Sequence, residues 1–138
     1  MKGDTNRLSE QVVRLLHGKN IAFVATVMKD GSPQITPTWV DLDGNEIVIN
    51  TAKGRVKEKN LSRDPRIAIA IADQNNPYHM VTIRGKVIDQ TTRGAEEHID
   101  KLSKKYLDLD KYPLRSPNEE RIIIKISPDK VFYQPPQG

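Results

Sequence analysis

The chain of 138 residues contains no cysteine, which excludes disulfides and thiolate metal sites together. Aromatics make up only 5% of it, with one tryptophan, two phenylalanines and four tyrosines. That is thin for the stacking platforms that hold single-stranded nucleic acid. No run approaches the roughly 18 apolar residues of a membrane-spanning helix. The opening residues, MKGDTNRLSEQ, lack the apolar core of a signal peptide. A cytoplasmic protein without a membrane span is therefore expected. Nucleophile elbow, Walker A loop and GxGxxG fingerprint are all missing. The three histidines, His17, His79 and His98, are scattered without metal-ligand spacing, and His98 reads as a surface or packing residue. Asp41 and Asp43 flank a turn and read as structural. No metal site is expected, and no side chain advertises acid–base or covalent catalysis. If the protein is an enzyme, a bound cofactor carries the chemistry.

What is present suits a single domain over residues 1–138, with 36% hydrophobic residues to build a core. Leu8, Val12, Leu15 and Leu16 fall on one face of a helix over about 7–17 that stops near Gly18. Ile21–Met28 (IAFVATVM) reads as a buried strand. Asp30-Gly31 turns it into Pro33–Val40 (PQITPTWV), whose two prolines mark an edge or bulged strand. Asp41–Asn45 turns again into a third strand, Glu46–Thr51, and the three form an antiparallel meander. Ile67–Ala72 (IAIAIA) is a further strand. A polar loop, Asp73–Pro77, leads to a long strand, His79–Gln90, with Gly85 at a bulge or a close backbone approach. Thr92 is placed to cap a helix carrying Ala95, Ile99, Leu102 and Tyr106. Leu107–Asn118 is irregular. Arg121–Ile126 (RIIIKI) and Lys130–Tyr133 close the sheet, split by Ser127-Pro128-Asp129, and the tail 134–138 is loose. The expected fold is mainly β with peripheral helices: a six- to seven-stranded antiparallel barrel whose closure protects the strand edges.

The stretch Thr51–Arg66 (TAKGRVKEKNLSRDPR) carries six cations, Lys53, Arg55, Lys57, Lys59, Arg63 and Arg66, against Glu58 and Asp64. It reads as a strand end, a glycine turn at Gly54 and a short helix from Arg55, closed by Asp64-Pro65. Cations in a first helical turn oppose the helix dipole. Charge placed against that rule suggests that Arg55, Lys57 and free backbone N–H groups converge on an anion, a phosphate above all. The net charge of +4 suits an anionic ligand. A solvated basic helix is the plainer alternative. Trp39 and Tyr78 each suit either a planar ligand or the core.

Three sets of residues carry a family resemblance. They are Asp30–Val40 (DGSPQITPTWV); Asn50–Lys57 (NTAKGRVK) with Asn60-Leu61 and Arg63–Arg66; and Asn76-Pro77-Tyr78 with Arg84-Gly85. The helix from His98 to Leu107 and Lys111-Tyr112-Pro113 add to them. Over about residues 8–133 the chain resembles the split β-barrel flavin and deazaflavin oxidoreductases related to pyridoxamine 5′-phosphate oxidase, within them the coenzyme F-420-dependent subgroup. The resemblance implies a homodimer with the cofactor in a groove between barrels. It implies Arg55 and Lys57 on the cofactor phosphate, Thr51, Ala52 and Lys53 beside it, and Gln34, Thr36 and Pro37 along the ring system. Asn76, Pro77 and Tyr78 are implied to reach the site from the partner subunit. It also implies hydride transfer from reduced F-420 to a small electron-poor acceptor. Two rivals stay open: an FMN-binding relative, which the same phosphate site serves equally, and a carrier of flavin, deazaflavin or haem without turnover. Surplus cations such as Lys59 and Arg63 favour the acidic tail of F-420. Binding of nucleic acid is not expected, because the cations cluster on one short element.

Overall fold

The computed structural model describes residues 8–136. The first helix, α1, spans Glu10–His17; residue 7 of its expected range lies outside the described part. Ser9 fixes its start, its hydroxyl accepting the Val12 N–H at 3.3 Å. Val12, Leu15 and Leu16 are its buried stripe, as the spacing predicts, whereas Leu8, expected on the same face, is buried ahead of the N-cap and outside the helix. Seven strands follow: β1 Ala22–Val27, β2 Pro33–Thr38, β3 Asp41–Asp43, β4 Glu46–Ala52, β5 Arg66–Asp73, β6 Asn76–Thr91 and β7 Arg121–Gln134. Helix α2 (Val56–Arg63) lies between β4 and β5, and α3 (Ala95–Leu107) between β6 and β7. All seven strands form one antiparallel sheet in the order β2-β1-β5-β6-β7-β4-β3. The fold is thus mainly β with peripheral helices, a split barrel whose ladder ends at β2 and β3. Alternate residues fill its interior: Ile67, Ile69 and Ile71 from β5, Val81 and Ile83 from β6, and Ile122, Ile124 and Ile126 from β7.

The expected meander of the first three strands does not form. β1 and β2 pair as a hairpin, and β2 stands at an edge, which suits a strand missing two N–H donors at Pro33 and Pro37. The chain then leaves the sheet. Val40 is fully buried, its N–H donating to the Tyr106 hydroxyl at 3.2 Å and its carbonyl accepting from Lys105 Nζ at 2.8 Å. Side chains of α3 therefore satisfy backbone groups that a third meander strand would have occupied. The chain continues to the far edge, where the expected turn at Asp41–Asn45 contains the short strand β3, paired with β4. The runs IAIAIA and RIIIKI need no barrel closure, because β5 and β7 are interior strands.

Three smaller expectations also change. The two closing strands are one, β7, because the Ser127-Pro128-Asp129 break is absorbed as a register shift opposite Gly85. The Asp73–Pro77 loop shrinks to a turn at Gln74-Asn75, where the Asp73 carboxylate accepts the Asn75 N–H at 2.8 Å. Thr92 does not cap α3. Gly94, in the left-handed region at φ 75°, is the N-cap, and Thr92 supplies only a backbone carbonyl to Ala95 N–H. In the tail, Gln134 closes β7 and residues 137–138 lie outside the described part.

Candidate functional site

The segment after β4 folds as its glycine predicts. Gly54 sits at φ 92°, and Arg55 follows as the N-cap of α2 rather than as its first residue. Glu58 reaches back to take the Gly54 N–H at 2.8 Å. This resembles a capping box shifted by one residue, and it engages the one acid of the first turn. Arg55 provides no side-chain cap, so no N-cap side chain takes up the first N–H groups of α2.

A groove of about 720 Å³ opens beside this turn. It is lined from β2 by Gln34, Thr36 and Pro37, from β4 by Asn50 and Thr51, from the start of α2 by Arg55, Val56 and Lys57, and from β7 by Arg121. Ile21, Thr38, Trp39, α3 and the segment after it supply the remaining wall. Six of the residues expected at a cofactor site therefore meet: Gln34, Thr36, Pro37, Thr51, Arg55 and Lys57. Five do not line it. Ala52 is buried and accepts the Arg55 N–H through its carbonyl at 3.2 Å, so its part is in the turn. Lys53 is exposed. Asn76, Pro77 and Tyr78 open β6 just past the turn of the β5–β6 hairpin, where Tyr78 is 63% exposed.

Three cations, Arg55, Lys57 and Arg121, line the groove, and Glu119 is the carboxylate that the two guanidiniums share. Arg55 and Arg121 both bind Glu119, the latter at 3.1 Å. Burial alone would raise the Glu119 carboxyl, but the hydrogen bonds and charges of Arg121 and Arg55 outweigh it and hold the group below its ordinary value. Lys57 is half-buried and pairs with no carboxylate among the described residues. Its burial, with the charges of Arg55 and Arg121 adding, pushes its ammonium down to about 8. An ammonium held there without a counterion, beside two guanidiniums, is a site short of negative charge. The Thr36 hydroxyl, on β2 in the same groove, is buried with no hydrogen-bond partner. Both features fit a ligand with an anionic end and a polar ring edge.

Arg121 and Asn50 are the residues that sequence reasoning missed. Arg121 is only 5% exposed. Its Nε donates to Asn50 Oδ1 at 2.9 Å, and the Asn50 amide donates to Ala95 O at 2.9 Å and lies 3.1 Å from His98 Nδ1. His98 is thus a packing residue that helps to fix Asn50. Burial pushes its imidazole down, in favour of the neutral form that can accept from the amide. The available signal was the pair Asn50-Thr51, polar residues at the end of a strand whose other inward positions are apolar. For Arg121, at the head of an apolar strand, there was none. The remaining cations of the basic segment do other work. Arg63 donates to Val27 O and Asn60 Oδ1, Arg66 pairs with Asp64, and Lys59 is exposed; none of the three lines the groove. The histidines stay outside its lining as well, and no group of three possible metal ligands occurs among the described residues. No helix among them is long and apolar enough to cross a membrane.

Fold and site together define a class: split barrels with a cationic, ring-lined groove at the turn after a sheet strand. The chain belongs to the pyridoxamine 5′-phosphate oxidase family of flavin-binding oxidoreductases, whose family model matches residues 8–135. Among solved structures it is similar to an F-420 reductase, at 28% identity and a TM-score of 0.81, over 92% of this chain and all of that one. It is also similar to a conserved hypothetical protein of Mycobacterium tuberculosis, at 19% identity and a TM-score of 0.71, over 95% and 87% of the two chains. HupZ of Group A Streptococcus matches at 20% identity and a TM-score of 0.68, over 95% and 99%. The last two likenesses concern the fold alone.

Proposed function

We propose that the groove holds coenzyme F-420 and that the protein is an F-420-dependent oxidoreductase acting on a small electron-poor acceptor. The observation that carries this is the meeting of Arg55, Lys57 and Arg121 in one groove, where a single carboxylate serves the two guanidiniums and none serves Lys57 among the described residues. Arg55 and Lys57 hold the phosphate, with Arg121 beneath them and the N–H groups of α2 facing it. Gln34, Thr36 and Pro37 lie along the ring system, where the orphaned Thr36 hydroxyl gains a partner. Reduced F-420, when bound, supplies a hydride, and the acceptor completes its two-electron reduction with a proton from water. The chain's part is to orient ring and acceptor at reacting distance and to exclude water.

The reading includes a homodimer. Phe23 of β1 pairs across the sheet with Pro37 on one side and Ala70 on the other, and Ala25 pairs with Ile35 and Ala68. Phe23 is 47% and Ile35 63% exposed. This face is apolar where these residues pair, so a second copy can cover it and bring Asn76, Pro77 and Tyr78 to the groove. FMN remains the rival coenzyme, since Arg63 is engaged elsewhere and Lys59 lies outside the groove, which removes the argument from surplus cations. Titrating the purified protein with F-420 and with FMN, followed by fluorescence, separates them. Tight binding of F-420 alone is the expected result, and tight binding of FMN alone overturns the choice of coenzyme. Repeated oxidation of bound reduced F-420 by added acceptors separates an enzyme from a carrier.

Lys57 also makes binding depend on pH. A bound phosphate stabilises the ammonium, so its pKa rises from about 8 on binding. Between about 8 and that higher value, binding takes up a proton, and affinity falls as pH rises, by at most about tenfold per unit. Dissociation constants measured from pH 7 to 10 should therefore be level at first and then climb. Lys57→Arg should flatten the curve, and a level wild-type curve would count against the phosphate role of Lys57.

A further inference from the structure

The groove has two chemically distinct parts. Arg55, Lys57 and Arg121 are the only charged side chains in its lining among the described residues, and they gather at one site. The wall built from Trp39, Leu107, Tyr112 and Leu114 carries no charge. Leu107 is 46% and Leu114 73% exposed although both face the groove. Such side chains gain most from a ligand that covers them.

What holds this wall is polar. The segment after α3 adds nothing to the buried hydrophobic core. Asp100 of α3 accepts the Tyr112 N–H at 2.8 Å, binds Arg115, which also reaches Glu96, and faces Lys111 Nζ at 3.7 Å. The Ser103 hydroxyl donates to Lys111 O at 3.3 Å. The Tyr112 N–H, against burial and with help from Arg115 and Lys111, holds the Asp100 carboxyl below its ordinary value. The Tyr112 ring is fixed from two sides. Trp39 meets it edge to face at 5.9 Å and 85°, and the Arg121 guanidinium lies 5.3 Å from its centre.

We propose that Leu107, Tyr112 and Leu114 form the wall against which the acceptor binds, that this wall selects a planar, uncharged ring system, and that Asp100 is the residue positioning it. The inference rests on reading the groove as a coenzyme site. With the cations engaged by a phosphate, the rest of the lining offers flat and aliphatic contact and no counterion for a charged acceptor. Asp100 acts through Tyr112, whose backbone it ties to α3.

Trp39 is the single tryptophan and touches Tyr112, so its fluorescence reports occupancy of the wall without turnover. The probe is 2-methyl-1,4-naphthoquinone, titrated into the protein with and without F-420. Saturable quenching is expected. Tyr112→Ala and Leu114→Asp should each weaken it about tenfold, the loss of one large apolar contact. Asp100→Ala should weaken it as well, while Asp100→Asn restores most of the affinity, because the amide oxygen still accepts the Tyr112 N–H. F-420 affinity should hold in Leu114→Asp and in both Asp100 variants, a split that a general structural defect does not produce, whereas Tyr112→Ala also takes the ring from beside Arg121 and should lower it. Quenching unchanged in Tyr112→Ala and Leu114→Asp, or absent from the wild type, overturns the proposal. Failure of F-420 to bind the wild type overturns the coenzyme reading instead, and the titration without coenzyme still decides the wall.

Discussion

Replacing Lys57 with alanine is expected to weaken coenzyme binding by about 10- to 100-fold, with no loss of stability. The magnitude is that of one charge-assisted hydrogen bond, about 1.5–3 kcal/mol, at 1.4 kcal/mol per factor of ten. The split between binding and stability follows from its surroundings. Lys57 has no carboxylate partner among the described residues and sits where burial and two guanidiniums disfavour its charge. Removing it takes away an unfavourable feature of the free protein, so the melting temperature should stay level or rise. Arg55→Ala should weaken binding by a similar factor, for a partly different reason. Arg55 is bound to Glu119, and its loss leaves that carboxylate less neutralised beside the incoming phosphate. Adding Glu119→Gln to Arg55→Ala should recover part of the affinity, whereas adding it to Lys57→Ala should recover less. Titrations and thermal melts of the five proteins test the scheme together. Wild-type affinity in both single variants would remove the phosphate from this turn and the hydride chemistry with it.

How much of this was legible in the sequence depended on the range of the interactions. Gly54, Arg55 and Lys57 announced themselves because a glycine turn and a helix start are decided within a few residues. The edge position of β2 followed from Pro33 and Pro37 for the same local reason. The false meander came from a contact that local pattern does not contain. Val40 is claimed by Lys105 and Tyr106, more than sixty residues away in the chain, and that claim sends β3 and β4 to the far edge. Arg121 stayed invisible because its role depends on Asn50 and Tyr112, which topology alone brings together. Lys59 and Arg63 were overvalued: a charged side chain on a short helix has no fixed direction until the helix is docked, and docking turns Arg63 to the Val27 carbonyl. Gly85 lies between the two cases. A glycine inside a strand promises a bulge or a close approach, and here it marks both.

Gly85→Ala should be the most damaging small substitution in the sheet. Gly85 does not require a left-handed backbone, so its reason is space. A Cβ at this position would stand 2.1 Å from the Ser127 carbonyl oxygen and 3.1 Å from its carbonyl carbon. Backbone atoms cannot rotate away as a side chain can, and the opposing strand is committed on both sides, to β6 and to β4. Relief requires β7 to move at the register shift beside Pro128, with loss of ladder hydrogen bonds. Overpacking of this kind costs about 1–3 kcal/mol and more where backbone must shift. A fall in melting temperature of about 10 °C is expected. Gly44→Ala is the matched control: at φ 63° with nothing within 4 Å of the added carbon, it should cost only about 1–2 kcal/mol of backbone preference. Below its melting transition the Gly85 variant should still bind coenzyme, because Arg121 pairs with Ala52 at the start of β7, whereas the displaced register lies at its middle. An unchanged melting temperature would mean that β6 and β7 do not approach as closely as their pairing here requires.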